Sequence, residues 1–292
     1  MHNPSWLPKD PDVLRELYRK RFREIAARYA AKIPIWDAVN ESLVCPATYP
    51  LYSEDRAYVG WAFHEAASLF PKETMLMINE VTSYNYPPQV ADYFAQIQRL
   101  LAQGARIGGI GLQYHYFRRR ELDKFLASPD NNPGRLLESY QKLGEFGLPL
   151  YITEITIPSA GEGGAALQEE LVRAHYRLWF SVPGMAGITW WNLGDGTALA
   201  SEQEAQGGLL DADLNPKPAY RALDQLINRD WTTRAETHTD TAGRSAFRGF
   251  FGTYQVEIQV GGKVQRLEIK HFRSADATHR MTLDWSRSGP GG

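Results

Sequence analysis

Short apolar runs alternate with longer amphipathic stretches along most of this 292-residue chain. The runs cover residues 33–39, 74–78, 106–113, 148–155 and 186–192, and helical patterns cover 12–31, 54–69, 87–103, 133–146, 165–180 and 216–227. Strand then helix, repeated, specifies βαβ units, because parallel strands need a crossover long enough to hold a helix. The near-continuous apolar character of each run is what a sheet buried on both faces requires. The punctuation agrees. Pro11 and Pro87 stand at helix starts, where a missing N–H costs little, and Gly104 and Gly147 follow helix ends, where a left-handed cap favours glycine.

Beyond residue 229 the pattern changes. Residues 247–251, 254–260 and 264–271 read as short strands, with Gly252 and the pair Gly261-Gly262 as turns. The expected organisation is a parallel α/β domain over 1–229, a small β appendix over 230–285 and a disordered tail over 286–292.

Charge and composition narrow the partners. The 32 basic and 34 acidic residues give a net charge of −2, so no phosphate-neutralising surface is expected and nucleic acid is not the predicted partner. No long uncharged apolar run is present, so a membrane is not predicted either. The single Cys45 excludes an internal disulfide and a Cys-only zinc site, and the seven His lack metal-site spacing, so neither metal nor cofactor is expected. Residues 1–6 lack the basic and apolar segments of a signal peptide. The 8 Trp and 15 Tyr offer flat faces that stack on sugars, though such rings also build cores.

Several predicted strands end in polar groups, and in a parallel α/β barrel the site forms at the strand C-termini. The first motif is Trp36-Asp37-Ala38-Val39-Asn40-Glu41 and the second is Tyr151-Ile152-Thr153-Glu154-Ile155-Thr156. Singly, each glutamate has a bland reading as a solvated or ion-paired side chain. Together they are what glycoside hydrolysis needs, two carboxyl groups facing across one bond. The third, Gly109-Ile110-Gly111-Leu112-Gln113-Tyr114-His115, aims Gln113 and His115 at the mouth, and its glycines permit close approach of neighbours. In the fourth, Thr189-Trp190-Trp191-Asn192, one Trp is expected to line the mouth, and Trp191 is favoured.

Together these motifs resemble glycoside hydrolase family 10, the endo-β-1,4-xylanases. The family's acid/base segment, Trp-Asp-Val-Val-Asn-Glu, is similar to residues 36–41, with Ala38 in place of a Val. Its nucleophile segment, Ile-Thr-Glu-Leu, is similar to 152–155, and its Gly-Ile-Gly-x-Gln-x-His pattern to 109–115. Asn79-Glu80 resembles the family's Asn-Asp with a longer acid. Gly208-Leu209-Leu210-Asp211 and Pro216-Lys217-Pro218-Ala219-Tyr220 resemble its ending before the last helix. The resemblance spans residues 3–228. It implies a (β/α)8 TIM-barrel fold and a retaining β-glycosidase that hydrolyses internal β-1,4-xylosidic bonds of xylan. By it Glu154 is the nucleophile and Glu41 the acid/base. Asn40 would bind the sugar 2-hydroxyl, His115 would support Glu154 and Trp191 would line the subsite. Gln113, Asn79 and Glu80 complete the binding and supporting set. It also implies a polysaccharide substrate and an extracellular or periplasmic location. Two other readings stand beside it: a retaining glycosidase for another β-linked glycan, and a protein that binds glycan without turnover.

The sequence departs from the family pattern in two places. Five barrel strands are visible where the fold has eight. Pro4-Ser5-Trp6 aligns with the family segment that follows the third strand, so the first three βα units and their sugar-gripping residues are expected to be absent. The barrel is thus expected to be incomplete, as a fragment that lacks an N-terminal segment, with a naturally reduced barrel or one completed by another chain as the alternatives. After Asp195, Gly196-Thr197-Ala198-Leu199 lacks a Trp usual in the family's xylanases. Arg118-Arg119-Arg120 is expected to be a solvated charge run, and 161–164 a mobile mouth loop.

Overall fold

A computed structural model describes residues 4–272 of the chain. Contacts divide it into two compact units, Met1–Leu223 and Asp224–Gly292.

The first unit alternates helix and strand: α1 (Pro11–Tyr29), β1 (Ile35–Asn40), α2 (Ala57–Leu69), β2 (Met75–Glu80), α3 (Gln89–Ala102), β3 (Gly109–His115), α4 (Arg119–Leu126), α5 (Pro133–Gly144), β4 (Leu150–Thr156), α6 (Gly164–Ser181) and β5 (Met185–Ile188). Helix α7 (Pro218–Gln225) follows the long loop after β5. The five strands form one parallel sheet in the order β1-β2-β3-β4-β5. Each crossover steps to the next strand in the same direction. With right-handed crossovers this puts the connecting helices on one face and curls the sheet as in a barrel. The order does not reverse, which sets the sheet apart from a doubly wound one.

The core lies between sheet and helices. Leu76, Ile78, Ile110, Leu112, Leu150 and Ile152 on the strands are fully buried, as are Phe63, Ile97, Leu143 and Trp179 on the helices. The helix ends follow local chemistry. Asp10 caps α1 by accepting from the N–H groups of Asp12 and Val13, with Pro11 next. Gly104 and Gly147 close helices at φ +81° and +67°, the left-handed region that glycine enters freely.

The opposite face of the sheet is only partly covered. Ile35 on β1 is 41% exposed, and among the described residues β1 and β5 each have a neighbour on one side only. The sheet is an open arc of five strands, in keeping with an incomplete TIM-type barrel.

Two local expectations change, and one helix is added. Arg118, Arg119 and Arg120 remain at the surface, as a solvated charge run, but they begin the unexpected helix α4: Arg118 pairs with Glu121, and Arg119 with Asp123 one turn on, while Leu122 is buried. Strand β5 ends at Ile188 rather than Asn192, although the N–H groups of Thr189 and Trp191 still reach the carbonyls of Ile152 and Ile155. In the second unit only two strands form a ladder among the described residues, β6 (Gly252–Val260) and β7 (Lys263–His271). Gly261 and Gly262, at φ +55° and +80°, make the two-residue turn between them, which requires positive φ at both positions. The strand expected at 247–251 is a loop. Phe247 packs on the Tyr254 ring, and Thr233 accepts from the Phe250 N–H, so these aromatic residues cover the hairpin rather than extend it. The tail expected over 286–292 lies outside the described residues.

Candidate active site

The C-terminal ends of β1 to β4 supply one polar cluster on the inner face, and two irregularities aim it. Between β3 and β4 the register runs Leu112↔Ile152 and then Gln113↔Glu154, so Thr153 is the extra residue of a bulge. A strict two-residue alternation would give Thr153 and Glu154 opposite faces. With the bulge, Thr153 donates to Asn79 at 2.7 Å while Glu154 joins the same cluster. A matching shift lies between Asp37 and Val39 on β1, and Val39 is buried while Asn40 reaches the cluster.

Gln113 is the centre of the arrangement. Its Nε2 lies 2.9 Å from Glu41 Oε1 and 3.2 Å from Glu154 Oε1, so one amide group offers a hydrogen to each carboxylate. The two oxygens are therefore no further apart than those distances end to end, about 6 Å. Asn79 Nδ2 donates to Glu154 Oε1 and to Asn40 Oδ1, both at 3.0 Å. His115 Nε2 meets the other Glu154 oxygen at 3.1 Å. With Nε2 donating there, Nδ1 of the neutral ring accepts from Thr156 Oγ1 at 2.9 Å. Glu154 thus has three donors on its two oxygens.

Gly111 makes this packing possible. A Cβ at that position would lie 2.6 Å from Asn79 Oδ1 and 2.8 Å from Thr153 Cγ2. The absent side chain is the space in which Thr153 and Asn79 meet.

Glu41 follows the last residue of β1 at φ +56°, uncommon for a side chain other than glycine, asparagine or aspartate. Its N–H donates to the Asn79 carbonyl, and the residues after it are clamped. Glu80 Oε1 accepts from the Ser42 hydroxyl at 2.9 Å and the Leu43 N–H at 2.8 Å, and Gln96 Nε2 donates to Ser42 Oγ. Arg56 donates to the carbonyls of Ser42 and Leu43. Glu80 itself is 0% exposed, and its Oε2 has no partner among the described residues. Burial pushes its carboxyl up to about 7, against the opposing pull of the Leu43 and Ser42 bonds.

Trp191 stands at the rim, 44% exposed, its ring edge-on to His115 at 5.7 Å between centroids. Its indole N–H donates to Glu202 at 3.0 Å. Trp190 turns the other way and donates to the Gly207 carbonyl. The opposite face of His115 is stacked by Phe117 at 4.6 Å.

The residues singled out from sequence therefore fall in two places. Glu41, Glu154, Asn40, Asn79, Gln113 and His115 share one hydrogen-bonded cluster, with Trp191 beside it. Glu80 lies apart from it and bonds Ser42 and Leu43, in the segment after Glu41. Sequence reasoning did not single out Thr153, Thr156, Ser42, Phe117 or Glu202. Thr156 and Thr153 flank Glu154 within its own motif, which was a usable signal; Glu202 lies in an irregular loop that offered none.

Several known proteins are similar to this chain. The anti-sigma-I factor RsgI6 of Acetivibrio thermocellus is 28% identical over 262 residues, which cover 89% of this chain and 31% of that protein. Endo-1,4-beta-xylanase 1 of Arabidopsis thaliana is 26% identical, over 93% of this chain and 27% of its own length. The chain thus spans less than a third of these two relatives. Endo-1,4-beta-xylanase of Geobacillus stearothermophilus is 28% identical, over 75% of this chain and 73% of that enzyme. The fold is similar to xylanase 10B from Thermotoga petrophila RKU-1 in complex with xylobiose, with a TM-score of 0.60 and 19% identity over 75% of this chain and 67% of that one. Residues 1–226 match glycosyl hydrolase family 10, a span that takes in every strand-end motif described above, and the chain belongs to that family.

Proposed function

We propose that this chain carries the catalytic carboxylates of a retaining glycosidase that hydrolyses internal β-1,4-xylosidic bonds of xylan. Glu154 attacks the anomeric carbon while Glu41 gives its proton to the departing glycosidic oxygen, leaving a glycosyl-enzyme ester. Glu41 then takes a proton from water as that water attacks the same carbon, and Glu154 leaves. Asn40 holds the 2-hydroxyl, and Gln113 and Asn79 orient the carboxylates. His115 keeps Glu154 turned toward the sugar, and Trp191 floors the subsite.

The single observation that supports this most is the bridging of both carboxylates by one Gln113 nitrogen. Retaining enzymes hold their carboxyl groups about 5–5.5 Å apart and inverting ones about 6.5–9.5 Å. An upper limit near 6 Å between the facing oxygens fits the retaining class. The test is proton NMR of xylo-oligosaccharide hydrolysis. The expected first product is the β-anomer, lost in Glu154→Ala and in Glu41→Ala. An α-anomer formed first, or turnover undiminished in both variants, would overturn the assignment.

The reading includes a partner for the open sheet. The sides of β1 and β5 that are unpaired among the described residues, with Ile35 exposed on β1, call for further βα units from the same polypeptide or another chain. It also includes a place of action outside the cytoplasm, extracellular or periplasmic, because a polymeric substrate does not enter a cell. The open sheet favours one second reading, glycan binding without turnover. Binding of xylo-oligosaccharide by a chain that releases no reducing sugar would select it.

A further inference from the structure

Glu202 lies outside every motif of the site, in the loop between β5 and α7, yet it is bonded to the site's rim. Its Oε2 accepts from Trp191 Nε1 at 3.0 Å and from Asn192 Nδ2 at 3.3 Å. Both donors are neutral, no cation pairs with Glu202 among the described residues, and Oε1 has no protein partner there. The nearby acid Asp195 differs in this respect, since Lys217 neutralises it at 3.0 Å. A line of contacts runs from Glu154 through His115 to the Trp191 ring and ends on the Glu202 carboxylate. A sugar stacked on Trp191 therefore has a carboxylate, paired with no cation among the described residues, at the edge of its platform.

We propose that Glu202 is a specificity-determining residue that fixes the Trp191 indole and disfavours glycan chains bearing an acidic substituent at that subsite. The inference rests on Trp191 lining a glycan subsite, as in the function proposed above. It adds the class of substrate, a neutral β-linked chain over a uronic-acid-substituted one. Like charges several ångströms apart at a partly solvated rim repel enough to change affinity roughly three- to tenfold. Such a preference weakens as salt shortens the screening length.

The experiment measures affinities of the full chain, and of Glu202→Gln, for two xylo-oligosaccharides of equal length, one unsubstituted and one with a glucuronic acid branch. Glutamine keeps an oxygen for Trp191 and Asn192 and removes the charge. The expected result is that the ratio of neutral to acidic affinity falls roughly three- to tenfold in Glu202→Gln. In the parent protein the same ratio should shrink between low and high salt. Measurable binding with a ratio that neither the substitution nor salt moves overturns the role of Glu202 and leaves the glycan site standing. Binding of neither oligosaccharide removes the glycan site itself, and this inference with it.

Discussion

His115 Nε2 stands 3.1 Å from Glu154 Oε2, and this is the only hydrogen bond to that oxygen among the described residues. Replacing His115 by Ala removes a donor to a charged acceptor, a contact worth about 1.5–3 kcal/mol. If the bond persists in the transition state, kcat/KM on xylo-oligosaccharide falls roughly 10- to 100-fold. Thr156→Val leaves the ring in place and removes the hydroxyl that meets Nδ1, so a smaller loss of the same kind is expected. Steady-state kinetics of the two variants check the order. An undiminished His115→Ala enzyme would show that Glu154 is oriented by Asn79 and Gln113 alone.

Glu80 couples the segment after Glu41 to pH. Its carboxyl is held up to about 7 in the folded chain and is near its ordinary 4.5 when unfolded, so the folded state favours the protonated form. The stability this contributes is complete below about pH 4.5 and is lost as pH rises through about 7, because ionisation then leaves a charge in a fully buried site. The full swing is on the order of 3 kcal/mol. Denaturant melts of the parent and of Glu80→Gln across pH 4.5 to 7.5 test it. The parent should lose stability relative to the variant as pH rises, and parallel curves would remove Glu80 as the cause.

Gly111 was legible as a position of close approach, and the structure gives its neighbours. In Gly111→Ala the new methyl meets Asn79 Oδ1 and Thr153 Cγ2 inside 3 Å. Overpacking of this kind costs about 1–3 kcal/mol. The strain falls on the pair that positions Glu154, so activity should drop by more than the Tm shift suggests. Thr153→Ser in the same chain removes the Cγ2 contact and keeps the hydroxyl, so the double variant should recover part of both losses. A double variant no better than Gly111→Ala would show that Asn79 alone carries the clash.

What the sequence showed and hid follows from which interactions are local. The alternation of apolar strands and amphipathic helices, and the polar ends of strands holding Glu41, Gln113, His115 and Glu154, depend on residue order alone and could be read directly. The bulges at Ala38 and Thr153 depend on pairing with the neighbouring strand, so no two-residue pattern reveals that Thr153 and Glu154 enter the same cluster. Helix α4 was hidden because the arginines at its start read only as surface charge until Glu121 and Asp123 are placed against Arg118 and Arg119. The strand expected at 247–251 was suggested by its phenylalanines, whose preference for strands reflects packing on a half-buried surface that a covering loop also provides.

Lys217 and Asp195 form an ion pair at 3.0 Å with side chains only 9% and 14% exposed, and the pair ties the loop that carries Trp191 and Glu202 to the start of α7. Lys217 also donates to the Gln206 carbonyl, and Asp195 accepts from the Gly208 N–H. Lys217→Met leaves Asp195 largely buried and without its cation. Breaking a buried pair on one side costs about 3–5 kcal/mol. In a unit of this size that lowers Tm by about 10 °C. Adding Asp195→Asn removes the stranded charge, so the double variant should be more stable than Lys217→Met alone. Calorimetric melts of the three chains decide between a pair whose main effect is charge compensation and one whose loss is only that of a packed side chain. In the second case the double variant melts no higher than the single.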